Sequence, residues 1–295
     1  MVGIALILSM SGGLAACGGS GSDETVPGVK LPKSEASELK LVGVEVGDGT
    51  VRDYSVYEPG GTPTAAVVIL DSFSLVLTEA QHPRAILLEE AKRSGFVLVV
   101  PQGIDETWNA GECCGTALMQ NANDVGFLDA VFDDVAERYD FARPQISLVG
   151  WSGGGVMAYR MACEHAERFG AVAVVQGLLL TKPCKPAIEV DLLQIHQRGD
   201  AALPFGGTKS SILVPGGVLP SVPKSYARWL TAQECGPERS ESAGPVETTT
   251  ATCRNKTRSQ LVVVEGGDEN WPVGTGDSID ATALVLDFFE IERTG

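Results

Sequence analysis

The sequence has 295 residues, of which 44% are hydrophobic and 20% are charged, and its formal net charge is -16 at pH 7. This length and composition are typical of a globular protein with a core large enough for one α/β domain of about 250 residues. The acidity excludes nucleic acid as a partner and excludes electrostatic docking on anionic lipid, because like charges repel. We interpret the acidity as that of a solvated, self-repelling surface.

The first 40 residues are predicted to lie outside the folded domain. An apolar run over 2–10 is followed by Leu14-Ala15-Ala16-Cys17, which resembles a bacterial lipobox. The run is too short for a membrane-spanning helix. We predict a lipoprotein-type signal peptide over 1–16 and a lipidated Cys17 that opens a flexible tether over 17–40. No Lys or Arg precedes the apolar run, and an ordinary signal peptide with an incidental Cys17 is the alternative.

Both alternatives predict export, either as a membrane-anchored lipoprotein on the cell surface or in the periplasm, or as a secreted protein. Export makes disulfides the expected state of the six cysteines besides Cys17. Cys235 and Cys253 flank a Ser/Gly/Pro/Thr-rich segment and are predicted to pair. The adjacent Cys113 and Cys114 are expected to bridge to partners elsewhere rather than to each other. With no Cys-x-x-Cys and only three histidines, no metal site and no cofactor are predicted.

The predicted elements begin with an antiparallel hairpin and then alternate between strands and helices. The hairpin pairs 41–45 with 51–57 around a Gly-Asp-Gly-Thr turn. Further strands are predicted at 65–70, 96–100, 147–151, 171–175, 192–196 and 261–264, and helices at 83–93, 124–139, 153–165, 221–233 and 279–289. The segment 101–123 is predicted to be a long loop. This alternation predicts one α/β domain over 41–292, with a mostly parallel central sheet and helices on both faces.

The centre of the chain carries Gly150-Trp151-Ser152-Gly153-Gly154 between an apolar strand and a helical pattern. Gly-x-Ser-x-Gly in this context indicates a nucleophile elbow, the sharp turn that exposes the serine of an α/β-hydrolase. The first and last glycines are expected where a side chain would clash in the tight reversal. Ser152 is therefore the predicted nucleophile, and the backbone N–H of Gly153 is a predicted oxyanion donor. The alternative is a Gly-rich loop with an incidental serine.

Motifs spread from about residue 52 to 290 carry a resemblance to a known family. They are Arg52-x-Tyr54, Tyr57-x-Pro59, Trp108-Asn109-Ala110-Gly111-x-Cys113-Cys114-Gly115, Asp124-Val125-Gly126-Phe127, Gly150-x-Ser152, Met157-Ala158-Tyr159-Arg160-Met161-Ala162-Cys163-Glu164, Ile195-His196, Asp200, Pro204-Phe205-x-Gly207 and Trp271-Pro272. With them the chain resembles the secreted polyhydroxybutyrate-depolymerase and feruloyl-esterase-like serine esterases. The resemblance implies an α/β-hydrolase fold and hydrolysis of small-molecule or polymeric esters.

The same resemblance assigns the acid of the catalytic triad. In this fold the triad runs serine, acid, histidine along the chain, and Asp200 matches the family acid after the strand at 192–196. A plain turn residue after Gly199 is the alternative for Asp200.

The base of the triad is missing from its expected place. The family pattern is Gly-Gly-His-x-Trp-Pro, whereas this chain reads Gly266-Gly267-Asp268-Glu269-Asn270-Trp271-Pro272. Glu269 therefore occupies the histidine position. A solvated carboxylate titrates at about pH 4 and is a poor acceptor for an alcohol proton, whereas histidine titrates near neutrality.

The oxyanion hole also departs from the family pattern. Where the family has His-Gly after the strand at 65–70, this chain has Asp71-Ser72. Ser72 is the predicted second donor of the oxyanion hole. A carboxylate at Asp71 would oppose the developing negative charge if it points inward.

The three histidines of the chain offer no obvious replacement base. His196 is predicted to be structural, because the family has a histidine there beside its separate base. His165 lies 13 residues beyond Ser152, about 20 Å away along a helix. His82 is geometrically open but is expected to be an exposed loop histidine.

Two functional hypotheses remain at this point. One is an exported serine esterase whose activity is weakened. The other is a lipid-tethered pseudoenzyme that acts as a binding or structural protein. Trp151 and Trp271 are predicted to be walls of a substrate pocket, with ordinary core packing as the alternative.

Overall fold

The computed structural model describes residues 38–47, 49–72, 78, 81–209, 211, 213–214, 216–274 and 279–293. The proposed signal peptide, Cys17 and nearly all of the proposed tether lie outside these residues and stay predictions. The described residues fall in one compact unit, and the domain boundaries at 41 and 292 also stay predictions. Within the described ranges, no helix combines the length and apolarity needed to cross a membrane.

A single sheet, with ten strands among the described residues, organises the protein. The strands are β1 (Lys40–Glu45), β2 (Val51–Tyr57), β3 (Ala66–Leu70), β4 (Val97–Pro101), β5 (Ile146–Trp151), β6 (Ala171–Val175), β7 (Asp191–Gln197), β8 (Arg239–Ala243), β9 (Val246–Thr252) and β10 (Arg258–Val264). Their order is β1-β2-β4-β3-β5-β6-β7-β10-β9-β8. The six inner strands, from β4 to β10, are parallel, and an antiparallel hairpin lies at each end. The predicted parallel sheet and N-terminal hairpin are confirmed.

Helices cover both faces of this sheet. They are α1 (Pro83–Ser94), α2 (Gly115–Met119), α3 (Asp124–Tyr139), α4 (Gly153–Glu164), α5 (Val222–Ala232) and α6 (Ala281–Phe288). Successive strand residues point to opposite faces, so Leu148 and Val149 of β5 lie in separate apolar cores. The first core packs against α3, α4 and α5, and the second against α1 and α6. The predicted α/β-hydrolase arrangement is therefore confirmed.

The hairpin β8–β9 has no counterpart among the predicted elements. All five residues of β8 are exposed, so the strand lacks the alternation of apolar and polar residues that marks a half-buried strand. A disulfide joins Cys235, which precedes β8, to Cys253, which follows β9, and so closes the base of the hairpin. This disulfide confirms the predicted pairing.

The expectation for the adjacent cysteines is wrong. Cys113 is bonded to Cys114 across a cis peptide, and both are buried. A disulfide between Cys163 and Cys184 joins the end of α4 to the segment after β6. Since the other four cysteines pair among themselves, the adjacent two are left as each other's partners.

The elbow after β5 requires glycine on both sides of the serine. A Cβ on Gly150 would lie 2.2 Å from the carbonyl oxygen of Gly154, and one on Gly154 would lie 1.9 Å from that of Leu70. Both obstacles are backbone atoms of the sheet and the elbow, which cannot rotate away. The glycines therefore let α4 pack directly against the ends of β3 and β5.

Replacing Gly154 with alanine should destabilise the fold strongly. We expect Gly154→Ala to cost roughly 4 kcal/mol, and to lower the melting temperature by roughly 10 °C, because the new methyl group overlaps the Leu70 carbonyl. Thermal unfolding followed by circular dichroism measures the change. Gly60→Ala is the matched control, since a Cβ there would meet nothing within 4 Å. Equal melting temperatures for the two variants would contradict the elbow geometry.

Candidate active site

Ser152 lies at the apex of the turn between β5 and α4. Its backbone has φ 52° and ψ -119°, a conformation that non-glycine residues rarely adopt and that is found at functional turns. The turn is held by the N–H of Ser152, which donates to the carbonyl of Val175 at 3.0 Å. Gly153 is the first residue of α4, so its N–H has no acceptor within the helix. The turn thus presents a partly exposed hydroxyl beside a backbone donor. The roles of Ser152 as nucleophile and of Gly153 as oxyanion donor stay predictions.

No described residue forms a hydrogen bond with the Ser152 hydroxyl. In a working triad this oxygen faces an imidazole that accepts its proton. The described part of the chain therefore contains no base in hydrogen-bond contact with the predicted nucleophile.

Asp200 is buried in the turn after β7, two strands away from β5. Its Oδ1 accepts hydrogen bonds from the backbone N–H groups of Ala202 and Leu203, at 2.9 and 2.8 Å. Its Oδ2 is also buried but has no hydrogen-bond partner in the part of the chain that the structure describes. Burial raises the pKa of Asp200 to about 6, against the lowering effect of the two backbone donors and with a further rise from the nearby Glu269 and Asp268 carboxylates.

The second carboxylate oxygen of Asp200, Oδ2, has no hydrogen-bond partner among the described residues. A buried acceptor left unsatisfied costs free energy, so such atoms are rare in native proteins. In a Ser–His–Asp triad, a carboxylate oxygen of the acid accepts the Nδ1–H of the histidine. The acid role of Asp200 stays a prediction, and its Oδ2 is free of the contact that a triad histidine would make.

Two buried glutamine side chains hold the loop that carries Glu269 close to the turn that carries Asp200. Gln176 and Gln197 both donate through Nε2 to the carbonyl of Asp268, and Gln197 also donates to that of Asn270 at 3.0 Å. The Glu269 carbonyl accepts the indole N–H of Trp151 at 3.2 Å. The backbone at the histidine position is thus fixed beside the residue that precedes Ser152. The sequence offered no signal for the two glutamines, because amides in strands and turns have many uses.

His196 lies close to Asp200 and contacts the turn that follows it. It is fully buried, and its Nε2 lies 2.9 Å from the carbonyl of Leu203 and 3.5 Å from Asp200 Oδ2. Because a carbonyl only accepts, Nε2 carries the proton in this contact. Burial lowers the pKa of His196 to about 4. Its surroundings agree with the predicted structural role.

An ion pair between Asp71 and Arg84 lies beside Ser72, the predicted second oxyanion donor. Asp71 is buried. Its Oδ2 accepts a hydrogen bond from Arg84 Nη1 at 2.9 Å and lies 3.4 Å from His82 Nδ1. Its Oδ1 accepts the backbone N–H of Ser72 at 2.9 Å. The N–H group of the predicted second oxyanion donor is therefore engaged by the neighbouring carboxylate. The role of Ser72 stays a prediction, although its Oγ would be 3.1 Å from a Cβ on Gly153.

The expectation that His82 is an exposed loop histidine is wrong. Its relative exposure is 4%, and it occupies the N-cap position of α1. Its ring packs edge-on against Trp151 with centroids 6.0 Å apart. Its Nδ1 lies 3.4 Å from Asp71 Oδ2, a contact that the ten intervening residues hid from sequence reasoning. His165 lies beyond the end of α4 and pairs with Asp129 of α3 at 3.0 Å.

Both predicted pocket tryptophans are buried in the core. Trp151 and Trp271 have relative exposures of 2% and 3% and belong to the cluster that packs on α1 and α6. Trp271 donates its indole N–H to Thr282 Oγ1 at 2.9 Å. These contacts agree with the packing alternative, and a role in substrate binding stays a prediction.

The long loop after β4 is tied to this site by buried polar contacts. Trp108 donates its indole N–H to the Asp71 carbonyl at 2.8 Å. Asp124, fully buried at the start of α3, accepts from the Asn109 N–H and from Arg52, each at 2.6 Å. Cys114 Sγ would lie 3.8 Å from a Cβ on Gly153. The loop therefore carries the Cys113–Cys114 disulfide to the residue that follows Ser152.

The parallel sheet and the strained serine turn between β5 and α4 define an α/β-hydrolase fold. Solved structures agree on the fold, with TM-scores of 0.54 for an acetyl xylan esterase from Aspergillus awamori and 0.55 for a protein described as sOPH. The two alignments cover 86% and 93% of this chain, and 100% and 92% of the other chain, at 13% and 14% identity.

Relatives found by sequence similarity are named as esterases. "Putative esterase NocK" of Nocardia uniformis subsp. tsuyamanensis is 28% identical over 235 residues, and feruloyl esterase C of Emericella nidulans is 26% identical over 200 residues. These matches cover 74% and 66% of this chain and 67% and 66% of the relatives. No family model matches the chain. These similarities support a feruloyl-esterase-like α/β-hydrolase family for the chain.

Proposed function

We propose that this protein is an exported carboxylic-ester hydrolase-like protein in which Ser152 and Asp200 are retained but Glu269 replaces the triad base, so that ester turnover is severely reduced. The proposed substrates are small-molecule or polymeric esters. Relatives named as esterases support the reaction class. Export and a lipid anchor at Cys17 remain part of the proposal.

The chemistry proposed for the site follows from its parts. Ser152 would attack the acyl carbon, and the free N–H of Gly153 would stabilise the oxyanion. Without a base the hydroxyl attacks as a neutral alcohol, and the leaving alkoxide receives no proton from a positioned acid. Loss of the histidine from a serine hydrolase costs on the order of 10⁶ in kcat, although the oxyanion hole and substrate binding leave some catalysis over water.

The observation that carries this proposal is the buried Oδ2 of Asp200, which has no hydrogen-bond partner. In a Ser–His–Asp triad such an oxygen accepts the Nδ1–H of the histidine, which supports the loss of a histidine from position 269. The contact between Ser152 and a base is likewise absent among the described residues.

A second candidate function is a pseudoenzyme that uses the same scaffold for binding or structure. The Asp71 contacts favour this candidate, because the carboxylate engages the Ser72 N–H and thereby removes a donor from the oxyanion side. Two separate losses in one site are unexpected under selection for turnover. The two candidates differ in whether Ser152 retains any reactivity.

Reactivity of Ser152 can be measured with a fluorophosphonate probe and a short-chain nitrophenyl ester. We expect slow labelling that disappears in Ser152→Ala, and turnover on the order of 10⁴-fold to 10⁶-fold below that of an intact serine esterase. Absence of any Ser152-dependent labelling would favour the pseudoenzyme. Fast labelling with ordinary turnover would refute both candidates.

A further inference from the structure

A cavity of about 780 Å³ is lined by segments that leave the carboxyl edge of the sheet. Glu112 comes from the loop that carries the Cys113–Cys114 disulfide, and Leu180 comes from the segment after β6. Most of the remaining wall follows Asp200 and lies within the described residues of 206–220. The volume lies in the range of small-molecule sites, roughly 300–1,000 Å³.

Cations surround this cavity although the chain is strongly acidic. The whole chain has 22 Lys and Arg against 38 Asp and Glu. The described lining instead contains four cations, Lys182, Lys209, Lys224 and Arg228, and one acid, Glu112. The acid is neutralised, because Lys182 Nζ lies 3.1 Å from its carboxylate. The cavity is therefore a local region of positive potential.

The first turns of α5 supply much of this charge. Lys224 and Arg228 are four residues apart and hence lie on the same side of the helix. The positive end of the helix dipole adds to the potential. Arg228 is held in place, because its guanidinium donates to the carbonyls of Leu179 and Thr181 at 2.9 and 2.7 Å. Lys209 and Lys224 are exposed, and neither ammonium forms an ion pair with any described residue.

Apolar side chains form the rest of the wall. Leu180, Val214 and Leu219 are buried, whereas Val218 is 64% exposed. Two backbone hydrogen bonds between Thr208 and Leu219, of 3.1 and 2.9 Å, close the base of the segment. The cavity thus combines an apolar wall with unpaired cations at its rim.

We propose that this cavity binds an amphipathic organic anion, a small ligand with an apolar body and one carboxylate or phosphate group. The apolar body lies against the leucine and valine side chains, and the anionic group meets Lys209, Lys224 and Arg228. The proposal does not depend on turnover by Ser152, so binding and ester hydrolysis can fail or succeed separately.

Isothermal titration calorimetry with defined probes tests the proposal. We expect 4-phenylbutanoate and phenyl phosphate to bind at one site, and the neutral 4-phenylbutanamide to bind at least tenfold more weakly. Affinity for the anions should fall when NaCl is raised from 50 to 300 mM, because salt screens the lysines. Salt-dependent binding of either probe, the carboxylate or the phosphate, supports the proposal and identifies the anionic group that the cavity accepts.

A charge reversal on α5 locates the site. Lys224→Glu should weaken anion binding about tenfold or more, equivalent to about 1.4 kcal/mol. The variant should fold, because a glutamate three residues after the N-cap Ser221 is favoured in a capping box. Lys256→Glu makes the same charge change at an exposed lysine just before β10, at the opposite edge of the sheet, and should leave binding unchanged.

Three results would overturn the assignment. They are no binding of either anion, equal affinity for the neutral amide, and equal weakening by Lys224→Glu and Lys256→Glu.

Discussion

Glu269→His is expected to raise ester turnover by roughly 10³-fold, the size of a typical general acid–base contribution. The other parts of a triad are already present. Asp200 Oδ2 is buried without a hydrogen-bond partner, ready to accept the Nδ1–H of an imidazole. The loop backbone at residue 269 is fixed by Gln197 and by the Trp151 indole. The measurement is kcat/KM for a short-chain nitrophenyl ester at pH 8.

Glu269→Gln is the matched control for this experiment. It removes the carboxylate charge with little change of shape but supplies no imidazole, so turnover should stay at the level of the natural chain. Adding Ser152→Ala to the histidine variant should abolish the gain. If Glu269→His shows no gain although it folds, the defect lies on the oxyanion side, where the Ser72 N–H is engaged by Asp71.

The elbow and the parallel sheet were predictable because their signals are local. Gly150 avoids a clash with the Gly154 carbonyl four residues later, and the buried strands are continuous apolar runs. The clash that Gly154 avoids, with the Leu70 carbonyl, is not local, and only the Gly-x-Ser-x-Gly motif predicts it. The hairpin β8–β9 escaped prediction because β8 is wholly exposed and the sequence Arg-Ser-Glu-Ser-Ala has no apolar face. Tertiary pairing with β9, rather than strand propensity, makes it a strand.

The candidate site was predictable only where the family motif fixes a residue. Ser152, Asp200 and Glu269 follow from motif positions, whereas the burial of His82 depends on Asp71 and Arg84, which no local pattern pairs. The disulfide between Cys113 and Cys114 depended on where the four other cysteines lie in space. Only the structure could show that Asp200 Oδ2 has no hydrogen-bond partner among the described residues, because hydrogen bonds of buried atoms depend on how the whole chain packs.

The buried carboxylate of Asp200 is expected to lower the free energy of unfolding near neutral pH, where it is ionised. Its pKa is raised from an ordinary 3.8 to about 6, so between these values the folded state binds more protons than the unfolded state. By linkage, its contribution to the free energy of unfolding falls as the pH rises from about 4 to 6 and stays low above. A shift of this size corresponds to on the order of 3 kcal/mol. His196 titrates with the opposite sign, since its lowered pKa costs stability as the pH falls towards 4.

Asp200→Asn is therefore expected to have opposite consequences in two backgrounds. In the natural chain it should stabilise the fold by about 2 kcal/mol at pH 7.5, because the amide keeps an acceptor for the Ala202 and Leu203 N–H groups and removes the buried charge. The gain should vanish near pH 4, where the folded carboxyl is already protonated. His196 is common to both proteins, so its titration cancels in the difference between their urea-unfolding free energies.

In the Glu269→His background, the same substitution should remove most of the recovered activity, because an asparagine favours the wrong imidazole tautomer, at a cost approaching 10⁴-fold in kcat for an intact triad. Comparing unfolding free energy and kcat for the four combinations of residues 200 and 269 separates the two effects. Destabilisation by Asp200→Asn in the natural chain at pH 7.5 would show that the carboxylate has a partner there. Unchanged activity in the histidine background would show that the new imidazole does not contact residue 200. Stabilisation in one background and loss of turnover in the other would identify Asp200 as a triad acid that has lost its histidine.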